Sequence, residues 1–118
     1  MASFPIDYCY HTANTAAACI AFHTDNQHRR GFNLNQLIEF SLGPNPDADK
    51  DREMPPQMLS LVFSTADVVV LGWRLELLHD YLRDGRLAAI AILPKRYAEL
   101  ERHTPFVSGI SIKAVGKE

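Results

Sequence analysis

The chain has 118 residues, 47% hydrophobic, 22% charged and 9% aromatic, with 12 basic and 14 acidic residues for a net charge of -2. That supply of apolar residues is enough for one soluble domain to bury roughly two-thirds of its unfolded surface, and it excludes a disordered chain. The charge balance leaves no electrostatic footprint for nucleic acid or an anionic membrane, and 6 Gly with 7 Pro is far from a low-complexity linker.

The chain is expected to form a single domain over 1–118. No run approaches the ~20 apolar residues of a membrane span. The first residues lack Lys or Arg ahead of their apolar stretch, and Asp7 and His11 interrupt it, so a secretory signal is not expected and a cytoplasmic location is. Cys9 and Cys19 are expected to be buried or half-buried free thiols, because a domain of this apolar content does not need a disulfide.

Residues 18–24 (ACIAFHT) suit a strand, Asp25-Asn26-Gln27 a turn, and 28–33 (HRRGFN) its returning partner. From Phe32 an alternating face reads Phe32, Leu34, Gln36, Ile38, Phe40, Leu42, although a helical turn near 35–38 competes with it. Residues 43–57 (GPNPDADKDREMPPQ) hold four of the seven prolines and the densest charge, which predicts a long loop, either mobile or functional. MLSLVFS at 58–64 and VVVL at 68–71 form the clearest hairpin. The period then changes. Leu75, Leu78 and Leu82, with Leu77 and Tyr81 alongside, predict the principal helix over 73–84, closed by Gly85. Residues 87–93 (LAAIAIL) read as a buried strand ended by Pro94, 95–102 as a short second helix, and 106–115 as a closing strand. The fold class this predicts is α+β, a mainly antiparallel sheet of about five to six strands with the principal helix on one face.

Few constellations suggest chemistry. Tyr10-His11-Thr12-Ala13-Asn14 is echoed by Phe22-His23-Thr24-Asp25-Asn26, and with two nearby cysteines it offers zinc-type ligands. Nine residues separate Cys9 from Cys19, however, where a zinc finger needs two to four, so no metal site is expected. Asp47, Asp49 and Asp51 open like a calcium loop, but Arg52 stands where the turn needs Gly and Met58 where it needs a bidentate Glu. Nucleophile elbows, zinc-protease helices and glycine-rich phosphate loops are absent from the sequence. His79 reads as a helix-boundary residue, His103 as part of a turn, and Trp73 as a packing anchor.

Two functions remain. The first is a small non-enzymatic binding or assembly domain that forms a homo-oligomer, without cofactor, nucleic acid or membrane. Its interface would use the apolar residues on the second faces of the alternating strands 32–42 and 106–115: Leu37, Val107 and Val115. A charge at Leu37 or Val107 is then expected to shift the native mass toward monomer. The alternative is a small enzyme or ligand receptor with a pocket near the 43–57 loop, drawing on His23, Asp25, His28, Arg29 and Arg74 for a small molecule of unknown type. The lack of any catalytic motif favours the first.

Overall fold

In a computed structural model of the chain, residues 9–24, 27–46, 54–92 and 105–115 are described. They form eight strands: β1 (Tyr10–Thr12), β2 (Cys19–His23), β3 (Arg29–Asn33), β4 (Leu37–Pro44), β5 (Gln57–Phe63), β6 (Ala66–Trp73), β7 (Leu87–Ala91) and β8 (Phe106–Ala114). One α-helix, α1 (Glu76–Arg83), lies between β6 and β7, and a 3₁₀ turn (Leu34–Gln36) joins β3 to β4. The fold is thus α+β, but its strands number eight in two sheets rather than five to six in one. The short helix expected over 95–102 lies outside the described residues, as do residues 47–53 of the loop expected over 43–57, whose two ends belong to β4 and β5.

The first sheet has the order β1-β7-β2-β3 and the second β4-β5-β6-β8. Every ladder is antiparallel except that between β2 and β7. The β5–β6 hairpin is the plainest product of sequence pattern. Leu59, Leu61 and Phe63 alternate inward on β5, Ala66, Val68 and Val70 do so on β6, and all six are at most 1% exposed. The inner faces of the two sheets meet across three rings. Phe63 of the second sheet stacks on Phe32 of the first at 4.5 Å and meets the edge of Phe22 at 6.3 Å.

The helix does not simply cover one sheet face. Leu78 and Leu82 point into the core, while Tyr81 stacks on Tyr10 of β1 and His79 lies against Phe40 of β4. One short helix therefore bridges an edge of each sheet. The reason lies in its apolar stripe, whose flanking aromatics extend the buried surface to both sides.

Both ends of α1 are built from specific bonds. Its first turn lacks a side-chain cap of its own, and Gln57 of β5 supplies one: its Oε1 accepts from the Leu75 N–H at 2.7 Å, while its Nε2 donates to Glu76 Oε2 at 2.8 Å. At the other end Gly85 adopts φ +71, the Gly85 N–H donates to the Leu82 carbonyl, and the Arg86 N–H donates to that of Tyr81. This is the paired C-terminal closure that the glycine at 85 predicts.

Bulges decide which residues face the core. On β4, Leu37 opposes Phe63 and Glu39 opposes Val62, so Ile38 is the extra residue and side-chain parity inverts across it. Leu37 consequently packs on the core with Phe40 and Leu42, whereas Ile38, expected on the inner face, is 66% exposed. On β8, Val107 opposes Gly72 and Gly109 opposes Leu71, which leaves Ser108 as the extra residue. Val107 is therefore fully buried within its own chain.

Asn45 closes the neck of the segment between β4 and β5. Its backbone N–H donates to the Pro56 carbonyl at 2.9 Å and its side-chain Nδ2 to that of Pro55 at 2.8 Å. This is a buried polar side chain, and these bonds offset the loss of its hydration.

Candidate functional site

The residues expected to bind a ligand fall on two different sheets. His23 ends β2 and is paired in register with Arg29 at the start of β3. His28 precedes Arg29, and its carbonyl accepts from the Thr24 N–H at 3.1 Å, which ties the hairpin end. The structure thus brings His23, His28 and Arg29 together. Asp25 lies outside the described residues. Arg74 stands on the second sheet, in the turn between β6 and α1, and there its backbone takes a positive φ of 56.

Cys9 connects these two places. Its carbonyl accepts from the Ala91 N–H at 2.7 Å, and the next residue, Ile92, donates to the His23 carbonyl at 3.3 Å. Cys9 and His23 therefore flank the end of β7, about 10 Å apart by two strand spacings. The Cys9 thiol donates to the Pro105 carbonyl at 3.3 Å, just before β8 begins.

The electrostatics here keep the Cys9 thiol protonated. Burial pushes the Cys9 thiol up to about 12, outweighing the opposing pull of a Val107 hydrogen bond and of the Arg74 charge. A protonated, enclosed thiol is neither a nucleophile nor a ready metal ligand at neutral pH. Partial burial, and then the Arg29 charge, lower the affinity of His23 for a proton, so its ring is neutral at pH 7. The Arg30 guanidinium lies 5.2 Å from the centre of the Phe32 ring, so that side chain shields the core edge. Among the described residues no group of three or more His, Cys, Asp or Glu could hold a metal ion.

The two cysteines are free, as expected, but only Cys9 is buried and Cys19 is exposed at the start of β2. Native protein at neutral pH is therefore expected to release one equivalent of thionitrobenzoate from Ellman's reagent rapidly, and a second only on unfolding. Two equally fast thiols would contradict this placement. Because folding raises the Cys9 value from its ordinary 9.0, the folded state holds that proton more tightly. The resulting stability is intact below pH 9 and is expected to decline as pH rises from there toward about 12, which denaturant midpoints measured across that range will show.

The interface residues are also redistributed. Val107 lies in the core, Leu37 is half-buried against it, and Val115, just past β8, is 40% exposed while its N–H donates to the Thr65 carbonyl. A charge at Val107 therefore tests folding rather than association. The exposed surface that alternation missed is the outer edge of β8. One signal for it is present in the sequence: no charged residue stands between His103 and Lys113.

No protein-family model, curated protein or solved structure matches the chain. What can be stated is a class: a two-sheet α+β domain with one bridging helix, without a helix among the described residues long and apolar enough to cross a membrane.

Proposed function

We propose that this chain is a small non-enzymatic assembly domain that works as a homo-oligomer. The observation that supports this is β8, an edge strand of nine residues whose first seven carry no charge. Unpaired strand edges invite another strand, and proteins that stay monomeric protect them by shortness, charge, proline or bulges.

The other three edges carry more of such protection than β8, which has one bulge at Ser108 and one charge, Lys113, near its end. β1 has three residues, β3 begins with Arg29-Arg30, and β4 combines a bulge at Ile38 with Glu39 and Pro44. From Gly109 to Ala114, β8 runs in regular register against β6 and pairs with no other strand among the described residues. The ligand-receptor alternative draws no comparable support, since its basic residues divide between the β2–β3 hairpin and the turn from β6 into α1.

Native mass spectrometry on protein purified without a chelator tests the proposal. The mass of two or more whole 13.3 kDa chains with nothing added is the expected result. A chain-plus-adduct mass that persists until denaturation would instead establish a bound ligand and overturn it.

A further inference from the structure

We infer that two copies join through β8 in a symmetric antiparallel pair centred on Ser111, so that the second sheets of both copies run on as one. The inference rests on the assembly reading above and adds its partner, a second copy of this chain, and its register.

The β8 edge is self-complementary about Ser111. In an antiparallel pair related by a two-fold axis perpendicular to the sheet, residues equidistant from the centre oppose each other and share a face. With the centre at Ser111, Ile110 opposes the second copy's Ile112, and Ile112 opposes its Ile110. Both isoleucines lie on the inner face, opposite the buried Val70 and Val68, yet each is only half-buried within its own chain. Pairing would complete that burial by forming a four-isoleucine patch. On the outer face Lys113 opposes Gly109, which leaves room for the long side chain and keeps the two ammonium groups apart. Like charges directly opposite would be destabilising, and this register avoids them. Moving the centre to Ile110 would place each Ile112 against Ser108 and break the apolar match. Ser111 itself is exposed, so nothing among the described residues obstructs the axis.

The bulge at Ser108 helps to define the paired segment. It interrupts the regular edge at the end where Cys9 approaches Pro105, and the strand beyond is regular. Six residues from Gly109 to Ala114 are a normal length for a strand pair.

Disulfide trapping tests the register, with Cys19→Ser as background to remove the one exposed thiol. Directly opposite residues have Cα atoms about 4.5–5.5 Å apart, within disulfide reach, whereas a two-residue offset places them beyond it. Ser111→Cys reports one class of opposed pair. An equal mixture of Ile110→Cys and Ile112→Cys chains reports the other, and neither of those chains should cross-link alone. Oxidation with diamide is expected to double the 13.3 kDa mass on a non-reducing gel for Ser111→Cys, for the mixture, or for both. Ser41→Cys, exposed on β4, should remain single.

A wild-type dimer that fails to trap at either β8 pair, or that traps at Ser41→Cys, overturns the register while leaving the assembly reading intact. A wild-type chain that is monomeric at every concentration overturns both.

Discussion

Replacing Gly72 with alanine is expected to remove more stability than the same change at any other glycine among the described residues. A Cβ at that position would lie 2.0 Å from the Phe106 carbonyl oxygen and 3.1 Å from its carbon. Both atoms belong to backbone, which no rotamer change can move aside. The Leu75 side chain at 3.2 Å closes the remaining direction. Gly72 opposes Val107 at the point where the β6–β8 register shifts, and the chain turns into α1 a few residues later. Relief of the clash would require the ladder to open beside Val107, a fully buried residue. The expected loss is about 4 kcal/mol or more, a large fraction of the net stability of a small domain. Gly43→Ala is the control, since its Cβ would meet nothing within 4 Å. Thermal melts should place Gly72→Ala more than about 10 °C below both wild type and that control. Equal melting temperatures would contradict the close approach of β6 and β8.

The second large effect belongs to Phe63. Its ring joins the two sheets, stacked on Phe32 at 4.5 Å and edge-on to Phe22 at 6.3 Å, and it is 1% exposed. Truncation to alanine removes apolar contacts from both sheets and leaves a cavity that backbone on either side cannot readily fill. A cost of about 3–5 kcal/mol is expected, measured as a lowered denaturant midpoint, with Phe63→Leu losing much less. A loss below about 1 kcal/mol for Phe63→Ala would mean that the sheets do not meet there.

How far the sequence reveals this fold depends on whether each signal is local. The β5–β6 hairpin, the leucine stripe of α1 and the glycine closure at 85 each arise from neighbouring residues, and all three are legible. The buried strand at 87–91 is legible too, because Gly85 and Pro94 bracket an apolar run. Alternation fails at the bulges. A single extra residue at Ile38 reverses the facing of the strand around it, so Leu37 turns inward and Ile38 outward. Ser108 does the same for Val107. Both interface residues read from parity, Leu37 and Val107, were displaced by this one cause, while Val115 lies beyond the last strand and stays exposed. A bulge is set by what the partner strand offers, such as the Gly72 gap opposite Val107, and a single strand's pattern does not contain that information.

The candidate site was legible only in pieces. His23, His28 and Arg29 are close in sequence as well as in space, so the turn between them was enough to group them. The Arg74 charge acts on Cys9 only because the ends of β6 and β7 lie near the start of β8, which is tertiary information. The raised Cys9 thiol likewise follows from burial that a lone cysteine in an aromatic segment does not announce. The β8 edge differs from these. Its seven uncharged leading residues are visible in the sequence, but their importance emerges once the other three edges are seen to be better protected.

Sedimentation equilibrium of the wild-type chain beside Ser111→Lys tests the central claim most directly. Ser111 is exposed, so the substitution leaves the fold intact while placing two ammonium groups against each other at the proposed axis. Twice the 13.3 kDa chain mass is expected for wild type, with a shift to the single-chain mass for the variant. A wild-type mass of 13.3 kDa at all concentrations, or a variant that associates as tightly as wild type, would contradict it.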